Sequence, residues 1–152
     1  MFSGTSAINL DIKGRIAIPM RYRESLQLEH AGKIVVTVDI ESHCLLIYPL
    51  LEWERVETKL LRLSDTQPTE RALKRLLLGY AHETELDANG RILLTPTLRR
   101  YARLDKHLML VGQLNKFELW DETAWQQQIE DSQEIIRSER LAVNERLADF
   151  SL

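Results

Sequence analysis

The sequence predicts an α+β fold in which one hairpin unit occurs twice. The segment Leu10–Ile16, with the letters LDIKGRI, returns as Leu86–Ile92, with the letters LDANGRI. In each copy an Asp side chain opens the turn, and a Gly takes the positive φ that a hairpin needs. Runs of β-branched and leucine residues flank both turns, whereas the middle of the chain has a helical period. A repeat spaced by about half the chain indicates a duplicated unit.

The first copy, at 5–52, is predicted to contain four strands and one short helix. We expect strands at 5–10, 15–18, 34–38 and 45–48, and a helix at 20–28. Pro19 ends the second strand, because proline cannot donate a hydrogen bond to a strand ladder. In the helix Tyr22 and Leu26 lie four residues apart on one face, and Gly32 marks the helix exit.

A connecting helical pair is predicted at 53–79, where the hydrophobic period becomes that of a helix. Trp53, Val56 and Leu60 form an apolar stripe in a helix expected over 50–63. Pro68 favours the start of a second helix over 68–79, since proline suits a first helical turn. Gly79 suits the C-terminal cap of that helix. The short connection predicts an antiparallel pair.

The second copy, at 80–124, repeats the first in order. We expect strands at 80–86, 91–95, 107–111 and 117–120, with a short helix after Pro96. Pro19 and Pro96 are one position out of step with the repeated aspartates, Asp11 and Asp87. We therefore predict a one-residue insertion in the second copy, at Thr95.

The C-terminal segment at 125–152 is predicted to be a helical, acidic tail. Asp121 is a good N-cap for it, and apolar residues such as Leu141 are sparse. The formal net charge of the chain is −3, but eight acidic and three basic residues lie in 121–152. A binding partner responds to the local field of a surface rather than to the total charge, so this sum does not exclude a polyanionic partner.

Several classes of protein are disfavoured. The sequence has no apolar run of membrane-spanning length and no signal-peptide pattern, and Cys44 is its single cysteine, so we expect a cytoplasmic protein without a disulfide. No phosphate-binding glycine loop, nucleophile elbow, metal-ligand spacing or paired-carboxylate site is recognisable. We therefore expect no enzymatic activity, no cofactor, no metal and no small-molecule substrate.

Basic side chains cluster near both turns. They are Lys13, Arg15, Arg21 and Arg23 in the first copy, and Arg91, Arg99, Arg100 and Arg103 in the second. A guanidinium group at a hairpin tip can bond O6 and N7 of guanine in a major groove, while helix residues can neutralise phosphates. We expect Arg15 with Lys13 to read bases. The first turn is favoured over the second, because Asn89 stands where the first has Lys13.

The residues leave an alternative open at each turn. Arg15 could pair with Asp11 across its own hairpin, and Arg91 with Asp87, so that both motifs would serve as structural clasps. The two roles are compatible, because an aspartate can orient an arginine before DNA arrives. Gly14 and Gly90 belong to the same turns and are expected to give them their shape.

Two Asp-x-x-Gly-Arg hairpins, each followed by a proline and a short basic helix, resemble the bacterial MraZ family of the SpoVT-AbrB superfamily. The resemblance extends over essentially the whole chain, including Leu46–Leu50 and Asn115–Trp120. It implies a pseudo-duplicated, swapped-hairpin β-barrel with flanking helices, in which one chain supplies both units. It also implies that Arg15 and Arg91 bind DNA and that Asp11 and Asp87 orient them.

The resemblance further implies a ring-shaped homo-oligomer that represses its own operon, which begins the division and cell-wall gene cluster. Because one subunit makes few base contacts, specific binding would need several subunits on tandem guanine-containing promoter repeats. We therefore predict a sequence-specific, nucleoid-associated regulator whose partner is double-stranded DNA. The alternative is a non-DNA scaffold or antitoxin-like interaction module on the same barrel, which would show no salt-dependent affinity for a duplex.

Overall fold

The computed structural model describes residues 1–140 and 143–152, so the predicted tail position Leu141 lies outside the described residues. It confirms a mixed α+β fold. The elements are β1 (Thr5–Asn9), β2 (Arg15–Ala17), α1 (Met20–His30), β3 (Lys33–Val38), β4 (Leu45–Pro49), α2 (Leu50–Leu61), α3 (Pro68–Gly79), β5 (His82–Glu85), β6 (Arg91–Leu93), α4 (Pro96–Tyr101), β7 (His107–Gly112), β8 (Phe117–Asp121) and α5 (Glu122–Glu139). The chain forms two compact units, Met1–Asp121 and Glu122–Leu152.

The two copies exchange strands within one antiparallel sheet and share a second, two-stranded one. The larger sheet has the order β1-β7-β8-β4-β3-β5, and β2 pairs with β6 in a separate ribbon. Thr5 in β1 lies opposite Val111 in β7, and His82 in β5 lies opposite Val36 in β3. The first strand of each copy therefore pairs within the other copy. The predicted hairpins are wrong in this respect: the strands on either side of each turn lie in different sheets and pair with strands of the other copy. Over the described residues β1 and β5 form the two edges of the six-stranded sheet, which is not closed.

The main core lies on one face of the six-stranded sheet, under the ribbon. Phe117 of β8 is 1% exposed and stacks on Phe2 with ring centroids 4.3 Å apart, while Tyr22 of α1 meets it edge-on at 5.0 Å. Successive strand residues point to opposite faces, so Val36 belongs to this core and Val35 to a smaller cluster on the other side. That second cluster also contains Tyr48 and Trp53, and it buries one side of α2.

Helix ends follow local signals in one case and depart from them in another. The predicted exit of α1 is confirmed: Gly32 has a φ of 68°, and its amide donates to the carbonyl of Leu26 at 2.9 Å. Pro68 begins α3 as predicted. Gly79, however, is the last helical residue rather than the cap. The cap residue is Tyr80 with a φ of −91°, so this helix ends without a left-handed residue.

The insertion predicted at Thr95 is wrong. Pro19 and Thr95 both lie immediately before a helix, at the same distance from Asp11 and Asp87 respectively, so the copies stay in step through this region. The proline is the N-cap residue in the first copy and the first helical residue in the second, and both positions accept the φ that proline requires. The copies differ in length later, because α1 has 11 residues and α4 has 6.

The second unit contains a single α-helix among its described residues. The helix expected for the tail is observed as α5 over Glu122–Glu139, directly after Asp121. It ends sooner than predicted: Arg140 has a φ of 55°, and residues 144–149 form bends and turns. Within the part of the chain that the structure describes, no helix has the length and apolar character needed to cross a membrane.

Candidate nucleic-acid interface

The ribbon of β2 and β6 presents one buried and one open face. Ile16 and Ile92 lie opposite each other, are each 1% exposed, and fix the ribbon on the core. Because strand residues alternate, the opposite side carries the residues that we call the ribbon face. These are Arg15, Ala17, Arg91 and Leu93. Arg15 is opposite Leu93, and Arg91 is opposite Ala17, so the two arginines are diagonal neighbours on this face, a relation that typically spaces Cβ atoms by about 7–8 Å.

The first turn, Asp11–Arg15, is closed by one carboxylate. Asp11 Oδ1 accepts from the amides of Lys13 at 2.9 Å and Arg15 at 2.8 Å, and Oδ2 accepts from Arg15 Nε at 2.9 Å. Gly14 has a φ of 82°, which an L side chain rarely adopts. The amide of Arg15 above all, then its guanidinium and the amide of Lys13, lower the pKa of Asp11 by favouring the charged carboxylate.

The second turn, Asp87–Arg91, repeats this arrangement. Asp87 Oδ1 accepts from the amides of Asn89 at 2.8 Å and Arg91 at 2.9 Å, and Oδ2 accepts from Arg91 Nε at 3.1 Å. Gly90 has a φ of 71°. Hydrogen bonds, led by that from the Arg91 amide, again lower the pKa of the aspartate. In both turns the arginine therefore pairs with the aspartate of its own turn, as the clasp alternative describes. The arginine side chains are nevertheless only partly buried.

Each clasp leaves the far end of its guanidinium group open. The side chains of Arg15 and Arg91 are 28% and 31% exposed, and each carboxylate bonds Nε. Among the described residues, neither arginine has a protein acceptor at Nη1 or Nη2. Two nitrogens with parallel donor directions thus remain available on each group, which is what bidentate recognition of guanine or phosphate requires.

Each turn is bonded to the other copy of the repeat. The carbonyl of Gly14 accepts from the amide of Leu94 at 2.8 Å, and the carbonyl of Gly90 accepts from the amide of Ile18 at 2.9 Å. Leu94 and Ile18 directly precede Thr95 and Pro19, the N-cap residues of α4 and α1. Each turn is therefore joined by a backbone hydrogen bond to the segment that leads into the helix of the other copy.

The helix arginines cross between the copies in the same way. Arg99 of α4 lies against Gly14 of the first turn, and its Nε donates to the carbonyl of Leu94 at 3.2 Å. Arg23 of α1 lies against Gly90 of the second turn, and its Nε donates to the carbonyl of Ile18 at 2.7 Å. Sequence order places Arg23 with the first turn and Arg99 with the second. No local pattern signals this exchange, since it follows from the pairing of distant strands.

The remaining predicted site residues lie around this surface with different degrees of freedom. The Lys13 side chain is exposed at the first turn, and Arg100 is exposed on α4. Arg21 is exposed, donates from Nη2 to Ser6 Oγ at 2.8 Å, and lies over the ring of Tyr22 at 4.7 Å from the ring centroid. Sequence reasoning overlooked Ile12, which is fully exposed at the tip of the first turn. An isoleucine between the charged residues Asp11 and Lys13 of a turn was the signal in the sequence that could have identified it.

One further cluster of potential ligand atoms is explained by hydrogen bonding. Asp39, Cys44 and Glu118 place their ligand atoms within 4.8 Å of one another. Burial, followed by the nearby charges of Asp39 and Glu118, raises the pKa of the Cys44 thiol. The thiol donates to Asp39 Oδ2 at 3.5 Å. A protonated, buried thiol next to a carboxylate accounts for the arrangement.

Comparison with known proteins gives matches over the whole chain. A family model described as "MraZ protein, putative antitoxin-like" matches residues 1–76 and again 77–148, one match for each copy of the repeat. Proteins named "Transcriptional regulator MraZ" from Shewanella sp. (strain W3-18-1) and Shewanella putrefaciens (strain CN-32) are 76% identical over 152 residues, which is 100% of both chains. The protein of that name from Shewanella baltica (strain OS185) is 75% identical over the same length.

Proposed function

This chain belongs to the MraZ family, and we propose that it is a transcriptional regulator that binds double-stranded DNA sequence-specifically. The name carried by its relatives supports regulation of transcription. The observation that carries the DNA-binding part is the ribbon face. There two guanidinium groups are held by carboxylates through Nε, while among the described residues no protein acceptor engages their outer nitrogens.

The proposed mode of binding is insertion of the ribbon into a major groove. That groove admits a two-stranded β-ribbon, and it is where guanine presents O6 and N7 to a guanidinium group. Arg15 and Arg91 read bases in this proposal, and Lys13 adds a further cation at the first turn. The residues proposed to contact phosphates are Arg21, Arg23, Arg99 and Arg100. Phosphate contacts set orientation, whereas the ribbon contacts specify sequence.

Assembly is a necessary part of the proposal. One chain offers two base-reading arginines, and each good bidentate pair supplies only about 1–3 kcal/mol of discrimination. We propose a ring-shaped homo-oligomer in which several subunits engage tandem guanine-containing repeats in the promoter, since linked sites raise avidity without new contacts. The proposed role is repression of its own operon, the division and cell-wall gene cluster, by a cytoplasmic, nucleoid-associated protein that needs no cofactor.

The finer architecture is part of the same proposal. Exchange of β1 and β5 between the copies, together with the shared β2–β6 ribbon, supports a swapped-hairpin barrel built from one chain. We propose that the two units forming this one barrel are 5–52 and 80–124, connected by the helical pair at 53–79 and followed by the acidic tail at 125–152. The second candidate function is an antitoxin-like interaction module, which the wording of the matching family model favours.

Duplex binding measured against salt distinguishes the two candidates. Fluorescence anisotropy with a duplex from the region upstream of the protein's own gene should show affinity falling steeply between about 50 and 200 mM salt. Replacing the guanines of each repeat should weaken binding of the wild-type protein. A salt-independent signal, or oligomers with no duplex affinity, would favour the interaction module.

Two variants and a matched control assign the contact. Arg15→Ala is expected to weaken specific binding by about 5- to 150-fold per repeat contacted, and to abolish discrimination at the corresponding guanine. Arg91→Ala tests the second turn. Arg75→Ala removes the same charge from the exposed surface of α3 and should leave discrimination intact. Light scattering checks that each oligomer is unchanged. Equal effects of Arg15→Ala and Arg75→Ala would contradict the assignment.

A further inference from the structure

We propose that each base-reading turn is held in its DNA-binding conformation by an arginine from the other copy of the repeat. Arg99 is the positioning residue for the first turn, and Arg23 is the positioning residue for the second. The consequences for DNA binding rest on the proposed function. The contact of each arginine with the turn, which we call bracing, is a property of the free protein. It changes the assignment of both residues from independent phosphate contacts to supports of Arg15 and Arg91.

Three contacts form a closed circuit around the first turn. The carbonyl of Gly14 accepts from the Leu94 amide at 2.8 Å, and the carbonyl of Leu94 accepts from Arg99 Nε at 3.2 Å. The guanidinium group of Arg99 then returns to Gly14: its Cζ lies 3.0 Å from the position that a Cβ on this glycine would occupy. Gly14 is the residue before Arg15, so the circuit ends directly at the base-reading arginine.

The second turn has the same circuit with the copies interchanged. The carbonyl of Gly90 accepts from the Ile18 amide at 2.9 Å, and the carbonyl of Ile18 accepts from Arg23 Nε at 2.7 Å. Arg23 packs so closely on Gly90 that Nε, Cζ and Cδ occupy the space of a Cβ at that residue. Two independent occurrences of one arrangement indicate a feature of the duplicated unit.

The glycines have two roles in this arrangement. Their positive φ shapes each turn, and their missing side chain makes room for the arginine of the other copy. The nearest guanidinium atoms lie within 3.2 Å of the position that a Cβ on the glycine would occupy, and Nε donates to a backbone carbonyl. An arginine held at both points can restrict the motion of the turn, whereas an arginine that only screened a phosphate would need neither contact.

Each DNA-facing tip is therefore a composite of the two copies. The first tip combines Lys13 and Arg15 with Arg99, and it has three cations for the single carboxylate of Asp11. The second tip combines Arg91 with Arg23, two cations for one carboxylate. The first tip thus has the stronger positive field, which supports the first turn as the tighter contact.

Double-mutant cycles of duplex affinity test the crossed assignment. Arg99→Ala combined with Arg15→Ala should show non-additivity of about threefold or more, because the support has little value once the supported group is gone. Arg99→Ala combined with Arg91→Ala should be multiplicative to within about twofold. Arg23→Ala should be non-additive with Arg91→Ala and multiplicative with Arg15→Ala. Coupling within a copy, or no coupling in either pair, would overturn the proposal.

Lysine separates positioning from charge. Arg99→Lys keeps the cation but lacks the planar group that packs on the glycine and the Nε donor, so affinity should stay near that of Arg99→Ala. Recovery of wild-type affinity by lysine would assign the residue to a phosphate and overturn the positioning role. The same variant provides a folded substitute if Arg99→Ala proves unstable.

Hydrogen exchange of the free oligomer tests the bracing without DNA. Arg99→Ala should accelerate exchange in the peptide covering 11–15 and leave 87–91 unchanged, and Arg23→Ala should do the reverse. This crossed result would support the bracing even if duplex binding fails, so failure of the proposed function is distinguishable from failure of this inference. Equal acceleration in both turns, or none, would overturn it.

Discussion

Alanine at Gly90 is expected to destabilise the protein more than alanine at Gly14, although the two glycines occupy equivalent turns. Their φ values of 71° and 82° impose a similar backbone cost on an L residue, about 1–2 kcal/mol. At Gly14 the new Cβ would lie 3.0 Å from Arg99 Cζ, so a shift of a few tenths of an ångström suffices. At Gly90 it would overlap Arg23, which has to leave its position.

The difference can be given a magnitude. Displacing Arg23 breaks the hydrogen bond from its Nε to the carbonyl of Ile18, 2.7 Å in the structure. A hydrogen bond that involves a charged group contributes about 1.5–3 kcal/mol, and we expect this much additional destabilisation for Gly90→Ala over Gly14→Ala. For a chain of this size, about 2–4 °C per kcal/mol converts the difference to roughly 3–12 °C in the unfolding temperature.

Thermal unfolding measures this difference. The protein concentration is kept fixed, because the stability of the proposed oligomer would depend on it. The control is the Arg23→Ala background, in which nothing fills the space over Gly90. There the two glycine variants should lose nearly the same stability relative to their parent. Equal unfolding temperatures in the wild-type background, or an unchanged gap in the Arg23→Ala background, would refute the packing argument.

Three further predictions concern the core, the turn and the thiol. Phe117→Ala should lower the free energy of unfolding by about 3–5 kcal/mol in denaturant titrations, since it removes the ring between Phe2 and Tyr22; a loss below about 1 kcal/mol would contradict this. In an NMR titration the carboxyl of Asp11 should have a pKa below the ordinary value of about 3.9. Its contribution to the free energy of unfolding is therefore complete at neutral pH and is lost as the pH falls through the lowered pKa. A titration midpoint at or above the ordinary value would contradict the hydrogen bonds to this carboxylate. Cys44 should resist iodoacetamide at about pH 8 while the protein is folded and react after unfolding, because burial raises the pKa of its thiol. Alkylated Cys44 detected by mass spectrometry in the folded protein would contradict this prediction.

The sequence was most informative where structure is decided by neighbouring residues. Asp11 and Gly14 define a turn within five positions, and both turns form where the repeat places them. The strands on either side of each turn do not pair with each other, because each pairs with a strand of the other copy. The ion pair of Arg15 with Asp11 was an open alternative because the spacing permits it without requiring it. The misplaced insertion at Thr95 has a physical cause: proline is tolerated both before a helix and at its first position, so its offset does not measure chain length.

Contacts between distant parts of the chain could not be inferred in this way. Nothing near Arg23 in the sequence indicates that it packs on Gly90, because the contact exists only once β2 and β6 pair. The same holds for the exchange of β1 and β5, which the residues alone do not predict and which entered our expectations only through family resemblance. The early end of α5 at Glu139 also lacks a Gly or Pro signal nearby.

The exchanged strands impose an order of events on biosynthesis. Thr5 leaves the ribosome among the first residues, but its partner Val111 follows roughly a hundred residues later, which at about 5–20 residues per second is a delay of roughly 5–20 s. The earliest strand of the nascent polypeptide therefore has no partner until most of the chain has been made. A truncated translation product ending before β7 would leave that strand without its neighbour, an exposed backbone edge of the kind that invites aggregation.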